Sequence, residues 1–408
     1  MLLRVLEFKG KVRLHLHFLV LVCLGLLAQA QTLSPGRPEE VGMSTQRLQR
    51  LNGVLEAAIE RQEIPGAVVL VARKRKIVFK KAFGYRSLEP VQTPMTIDTI
   101  FDVASLTKVM ATAPSIMALV EEGKVSLTDS VSEYLPRFAN RGKRRITVQQ
   151  LLTHYSGLRP DLDLDVLWEG YETAVKRAFR EQLTAPPGKK FVYSDINYIV
   201  LAEIVREVTR QHLHEFAARR IFQPLGMSRT GVLPSEDLWN QIAPTVRRKN
   251  KMLQGEVHDP TAFRMGGFSG HAGLFSTVDD TAIFAQMILG HGKYDDVRIL
   301  SPLSVLKMTT PQTPLGEEEL RGAGFDIATR FSSTRGDLFP LGSFGHTGFT
   351  GTSLWIDPFT ETFVVLFTSR LHPNGKGGVV SLRKKVANVV AAAILELPPL
   401  RDRLLRRF

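Results

Sequence analysis

A serine hydroxyl becomes a good nucleophile only when a neighbouring base takes its proton. Ser105-Leu106-Thr107-Lys108 offers such a pair at what reads as a helix start. Three residues apart on a helix, the two side chains share one face. A buried lysine can lose enough basicity to accept the proton, or can hold another base's charge in place. The helix N-terminus favours negative charge developing at the serine. The spacing alone is a weak signal, because Ser304-Val305-Leu306-Lys307 and Ser381-Leu382-Arg383-Lys384 repeat it in ordinary amphipathic patterns. Ser105 is set apart by flanks, residues 101–104 and 109–112, that are mostly small or apolar and so suit a buried lysine. Other chemistries fit poorly. His154, His258, His271 and His372 are scattered in loop-like contexts without a His-Glu-x-x-His run, so no catalytic metal is expected. There is no glycine-rich phosphate loop, and no cofactor is expected.

The elements that must position Ser105 can be read from periodicity. Ser44 opens a helix, with Leu48, Leu51, Val54, Leu55 and Ala58 recurring at three and four. Residues 67–72 and 77–83 read as a hairpin across the basic turn 73–76. Residues 107–120 read as a helix that Pro114 should kink. From 124 to 290 the patterns are mainly helical, including 198–208 and 281–289. Strand signals return at 324–331, 352–356 and 362–368, and a helix at 382–395 closes the pattern. A sheet begun near one end of a chain and finished near the other must carry the middle as an insertion. The expectation is an α+β fold. An antiparallel sheet of about five strands is flanked by N- and C-terminal helices, and a mainly helical lobe is inserted at about 124–290. The cleft between the two parts is the natural place for a site.

The chain has 408 residues, 44% of them apolar, enough for a sizeable core. Arg4, Lys9, Lys11 and Arg13 precede an apolar run at 18–27, and Ala28-Gln29-Ala30 follows. That order reads as a signal peptide over 1–30, leaving one domain at 31–408 that is exported to the periplasm or secreted. A retained segment would leave it membrane-associated. Cys23, the sole cysteine, falls in the leader, which excludes a disulfide framework and a thiol nucleophile. The net charge of +13 suits anionic cell-envelope polymers, lipid headgroups or acidic substrates. Nucleic acid is disfavoured by export, and because the basic runs 73–76, 143–145 and 247–251 carry no interleaved aromatics. Those runs read as solvated loops or strand edges. Residues 400–408 alternate Leu and Arg and read as a solvated tail, with peripheral membrane contact as the alternative.

Residues 101–112 resemble the nucleophile segment of the class C β-lactamase and penicillin-binding esterase superfamily. Ile146-Thr147-Val148-Gln149-Gln150-Leu151-Leu152-Thr153-His154-Tyr155-Ser156-Gly157-Leu158 is similar to a turn segment of that family. Tyr193-Ser194-Asp195 stands where the family has Tyr-x-Asn or Tyr-Ser-Asp, and His346-Thr347-Gly348 where it has Lys-Thr-Gly or His-Thr-Gly. The elements come in family order. Residues 257–259, 270–277, 345–358 and 370–373 resemble the penicillin-binding protein 4B branch. That implies a weak D-alanyl-D-alanine carboxypeptidase or an esterase more than an efficient β-lactamase.

The resemblance implies roles. Ser105 would be acylated and Lys108 would share its proton network. Tyr193, as phenolate or through Lys108, would be the general base and then donate to the leaving group, with Lys108 the neighbouring cation a phenolate needs. His346 and Thr347 would edge the cleft on a strand, Gly348 would leave room for substrate backbone, and the amides of Ser105 and Phe349 would form the oxyanion hole. Asp195 replaces an amide that would donate to a substrate carbonyl. His346 replaces a fixed cation by a titratable one, so an anionic substrate bound through it would lose affinity as pH rises. Arg370 could meet a substrate carboxylate, although a surface position suits it as well. The partners implied are small-molecule or peptide substrates: D-alanyl peptides, β-lactams or esters. Two alternatives stay open: a penicillin- or muropeptide-binding sensor that does not turn over, and a promiscuous short-chain carboxylesterase.

Overall fold

The computed structural model describes residues 33–398, so the leader at 1–30 and the tail at 400–408 lie outside the described residues. The long strands and helices that matter to the site are, in chain order, α1 (Arg50–Glu60), β1 (Gly66–Arg73), β2 (Lys76–Ser87), α2 (Ala113–Glu121), α3 (Asp195–Thr209), α4 (Val278–Leu289), β3 (Phe344–Thr347), β4 (Ser353–Asp357), β5 (Thr362–Phe367) and α5 (Val380–Ala393). The sheet runs β2–β1–β5–β4–β3, antiparallel throughout, and short strands extend both edges. At one edge Ser34–Pro35 pairs with β2 in parallel and Thr93–Pro94 in antiparallel. At the other lie Asp326–Ala328 and the bulged Leu320–Arg321. Among the described residues these edge pieces bring the sheet to nine strands; of the five long ones periodicity marks four, β3 being placed only by the resemblance.

β1 is buried over its whole length because its side chains alternate between two cores. Val68, Leu70 and Ala72 join Phe363, Val365 and Phe367 of β5 and the apolar faces of α2, α3 and α4. Ala67, Val69 and Val71 join α1 and α5, with Leu51, Leu55, Leu382, Val386 and Val390. One helical layer therefore packs on each face, and β1 sits beside β5, almost 290 residues later, in the register Arg73↔Thr362 to Val68↔Phe367. Among the described residues no helix is long and apolar enough to cross a membrane.

Three expectations need correction. Pro114 does not kink a regular helix. Lys108–Thr112 form a π-turn in which the Ala113 N–H reaches the Lys108 carbonyl, and Pro114 falls in the first turn of α2, where a missing N–H is tolerated. The strand expected at 324–331 is only Asp326–Ala328, because Thr329 turns into a 3₁₀ turn at Ser332–Arg335. The basic runs are not all solvated, since Arg73 and Lys143 are both fully buried.

Arg73 fastens the segments at Gly42 and Glu396 to the sheet. Its guanidinium donates to the carbonyls of Thr360 (3.1 Å), Gly42 (3.0 Å) and Glu396. Arg73→Leu leaves two buried carbonyls and one part-buried carbonyl without this donor. The expected loss is about 3 kcal/mol of unfolding free energy by urea titration, since removing a charged donor costs 1.5–3 kcal/mol per bond before relaxation. A loss below about 1 kcal/mol would contradict this role.

Candidate active site

The segment before Ser105 is held in a costly shape. Ala104 has φ +47°, a left-handed conformation that an alanine adopts only when its surroundings dictate it. The surroundings are specific. The buried Asp102 carboxylate accepts the Ala104 N–H (2.9 Å) and the His258 N–H (2.7 Å). The Thr350 hydroxyl donates to the Asp102 carbonyl (2.7 Å) and that of Thr352 to the Val103 carbonyl (3.0 Å). Burial pushes the Asp102 carboxyl up to about 6, against the pull of the two amides. The turn that presents Ser105 is thus tied to the 348–352 turn and to the 257–259 loop. A Cβ on Gly348 would meet Thr352 Oγ1 at 2.1 Å and the Val103 carbonyl at 2.5 Å. Gly348 is therefore needed for the close approach of these two segments, not only for room beside a substrate.

Lys108 is fully buried beneath Ser105. Its ammonium has three N–H bonds and three oxygen neighbours: Ser105 Oγ at 3.0 Å, the His271 carbonyl at 3.2 Å and Asp195 Oδ1 at 2.6 Å. Burial works to strip the proton. The Asp195 carboxylate, with Tyr193 close by, outweighs it, and the net effect holds the proton more tightly than in free lysine. Lys108 therefore stays an ammonium and is not the resting base. Asp195, the first residue of α3, is the counter-ion of Lys108, placed at a helix N-terminus that favours a carboxylate. This pair takes up its Oδ1, while the side chain as a whole stays partly exposed.

Tyr193 lies with its ring centre 5.0 Å from Lys108 Nζ. It stacks on His154 (4.4 Å, 27°) and also faces Phe331 and His346. His154 is buried and accepts the Ser194 N–H at Nδ1 (3.0 Å), which fixes the segment carrying Tyr193 and Asp195. Burial, helped by Arg321 and Lys108, keeps His154 neutral well below its ordinary value.

His346 is on β3, as the resemblance implies, but not as a cation. It is buried, its Nδ1 donates to the Thr347 carbonyl (2.9 Å), and burial, Arg321 and Lys108 lower its pKa well below 6.5. The fixed positive charge comes from Arg321 instead. This fully buried side chain sits on the bulged edge strand, with Nη2 on the Gly324 carbonyl (2.6 Å) and Nη1 3.9 Å from Asp326. Nothing local in the sequence marks it, because a two-residue strand with a bulge has no periodicity. Arg383 is the second missed cation. It sits inside α5 and holds the carbonyls of Gly348 (2.8 Å) and Thr352 (2.7 Å).

These groups meet in a cleft of about 350 Å³ lined by Ser105, Tyr193, Arg321, Asp326, Phe331, His346, Thr347, Gly348, Phe349, Val380 and Arg383. Arg370 also lines it, with its Nε on the Phe349 carbonyl (2.7 Å) and Nη1 on that of Gly377 (2.7 Å), so it braces the rim. A wider basic depression at Arg141, Arg159, Arg177 and Arg180 is lined by no serine or cysteine. Around Ser105 the flanking amides are committed: Leu106 to the Val103 carbonyl (3.1 Å) and Gly348 to that of Thr352 (2.7 Å). Those of Ser105 and Phe349 take no part in that pattern. The scattered histidines are not all isolated, since His271, Asp195 and Asp259 have ligand atoms within 4.8 Å of one another. The charge those carboxylates surround is supplied here by the Lys108 ammonium and the His271 ring.

A two-layered helical packing on an antiparallel sheet, with an alcohol, a buried ammonium and a phenol converging at one end, defines an acyl-serine hydrolase. The chain belongs to the beta-lactamase family, whose model matches residues 51–388. It is 30% identical over 377 residues to a Salmonella typhimurium protein described as "Putative D-alanyl-D-alanine carboxypeptidase", covering 83% of this chain and 86% of that one. Among solved structures it is similar to the octameric penicillin-binding protein homologue from Pyrococcus abyssi (25% identity, TM-score 0.67, 88% and 81% covered). It is also similar in fold to EstCE1, a hydrolase with promiscuous acyltransferase activity (23% identity, TM-score 0.68, 85% and 99% covered).

A neutral His346 has a measurable consequence. The unfolded chain takes up a proton near pH 6.5 that the folded histidine refuses, so this residue's contribution to stability falls as pH drops below about 6.5. His346→Gln removes that loss. Between pH 6.5 and 5.5 the variant should lose about 1 kcal/mol less unfolding free energy than the wild type, read by urea titration at each pH. Equal losses, or a greater loss in the variant, would show that His346 does charge in the folded protein.

Proposed function

We propose that this chain is an exported hydrolase that forms an acyl-enzyme on Ser105 with D-alanyl peptides or related esters of the cell envelope, with weak β-lactamase activity as a side reaction. The observation that carries this is the contact of Lys108 Nζ with both Ser105 Oγ (3.0 Å) and Asp195 Oδ1 (2.6 Å) in a fully buried position. An ammonium there cannot take the serine proton, but it favours the anionic form of whatever does. Tyr193 is that group. As phenolate it accepts the Ser105 proton while Oγ bonds to the substrate carbonyl carbon. The developing oxyanion faces the amides of Ser105 and Phe349. Tyr193 then returns the proton to the leaving amine or alcohol as the carbon–heteroatom bond breaks. Water repeats the sequence to free Ser105.

Arg321 supplies a buried positive charge at the cleft wall for the anionic end of a substrate, the part His346 cannot play. The sensor alternative rests on Asp195 standing where an amide would donate to a substrate carbonyl, and the pairing with Lys108 gives that carboxylate a task of its own. The esterase alternative keeps one support: the cleft mouth exposes Phe331, Phe349 and Val380, a surface suited to an apolar acyl group.

Two experiments test this. Exposure to a fluorophosphonate or labelled penicillin, followed by peptide mass spectrometry, should place one adduct on Ser105, with none in Ser105→Ala. An adduct elsewhere, or intact protein under both probes, would contradict the mechanism. Arg321→Met should lower kcat/KM on a D-alanyl-D-alanine peptide at least tenfold, the value of one charged hydrogen bond, and on p-nitrophenyl butyrate by less than threefold. Equal losses on both would remove Arg321 from anion recognition.

A further inference from the structure

The Ser105–Lys108–Asp195 contact has a second tier built from residues that the proposed chemistry does not use. The third acceptor of Lys108 is the His271 carbonyl. The His271 ring is buried and held at both nitrogens, with Nδ1 2.9 Å from Ser269 Oγ and Nε2 2.8 Å from Asp259 Oδ1. Its loop has little freedom to shift. A Cβ on Gly270 would meet the Tyr198 carbonyl at 1.9 Å, Gly273 has φ +113°, and the Thr112 hydroxyl donates to the Gly270 carbonyl (2.6 Å). Asp259 is equally fixed, since the same oxygen that meets His271 accepts the Ala262 N–H and caps Pro260–Arg264.

The charges explain why a ring is placed there. Asp195 and Asp259 lie beside His271, and Asp161 stands behind them, held by the Thr261 hydroxyl. Against these three carboxylates stand Lys108 and His271. With Lys108 alone, Asp259 would compete with Asp195 for the ammonium and draw it away from Ser105. Burial opposes a charge on His271, but Asp259 and Asp195 outweigh burial and raise its pKa. Asp161 is pushed up to about 6, chiefly by burial, so it relieves the remaining negative charge in mild acid.

We propose that His271 is a positioning residue for acylation: its ring, clamped between Asp259 and Ser269, neutralises the second carboxylate, and its carbonyl orients Lys108, so that Asp195 is the one carboxylate sharing the ammonium with Ser105. This rests on Ser105 being the acylated nucleophile. It also gives the reaction an alkaline limit, because loss of the ring proton frees Asp259 to compete. The groups facing the ring are Lys108, Asp195, Asp259 and Asp161, and all but Lys108 favour its charged form.

The test is the kcat–pH profile of the full chain on p-nitrophenyl butyrate for wild type, His271→Asn, His271→Ala and Asp259→Asn, the last keeping a competent helix cap. Each His271 variant should lower kcat at least tenfold with KM within threefold, and all three should move the alkaline limb by at least half a pH unit. Nitrogen-15 spectra of the wild type should show the His271 ring protonated at both nitrogens at pH 7. Wild-type kcat and limb in the variants, losses that merely track the folded fraction, or a neutral ring at pH 7 would each overturn the proposal. Ser105→Ala separates the two levels. Turnover surviving there overturns the acyl-serine reading and the positioning role with it. Turnover lost there, with His271→Asn at wild-type kcat, overturns the positioning role alone.

Discussion

A single buried ammonium organises this protein's site. Burying a charge is tolerable only when it is paired and hydrogen-bonded, and Lys108 meets that condition through groups that belong to three separate stretches of chain: the nucleophile turn, the Tyr193–Asp195 segment that opens α3 and the 270–273 loop. Its protonation thus depends on the whole fold being assembled. The two buried lysines among the described residues make the point by contrast. Lys143 is as inaccessible as Lys108, but its ammonium meets Asn140 Oδ1 (3.0 Å) and the Glu181 carbonyl (2.7 Å), which are dipoles and not charges. Burial, with Arg141 nearby, pushes it down to about 8, while Asp195 carries Lys108 in the opposite direction.

The sheet exists to hold that arrangement still. β1 and β5, remote in sequence and adjacent in space, join the two cores, and the turn at 348–352 that braces the nucleophile segment links β3 to β4. The strained Ala104 is the clearest sign of over-determination. A carboxylate, two threonine hydroxyls and a glycine that cannot be enlarged all press on four residues. Such strain persists only where the rest of the structure repays it, and here it presents Ser105 to the cleft.

Much of this was legible in the sequence, for identifiable reasons. β1, β2, β4 and β5 carry dense apolar runs, and α1, α4 and α5 carry clean 3.6-residue periodicity, so their existence and order could be read. Ser105 and Lys108 could be read because helical spacing is a local property. What could not be read is whatever depends on three-dimensional surroundings. The charge of His346 is set by its burial and by Arg321, 25 residues away on an edge strand too short to have a pattern. The partner of Asp195 is Lys108, and no motif announces a pair separated by 87 residues. Arg73 and Lys143 looked like members of solvated basic runs because their neighbours are, and only the fold shows that each turns inward. His271 was set aside on metal-ligand spacing, and the contact that gives it meaning runs through its backbone carbonyl, which no residue type encodes.

Lys108 carrying its charge at rest is the proposition on which the division of labour between Lys108 and Tyr193 depends. The direct measurement is a carbon-13 titration of lysine Cε resonances in the folded protein, with the Lys108 and Lys143 signals assigned by Lys108→Met and Lys143→Met. The Lys143 signal should titrate near pH 8 while that of Lys108 stays in its charged position to pH 10 or beyond. A Lys108 signal that titrates below pH 8 would make it the base, and would contradict the role assigned here to Tyr193.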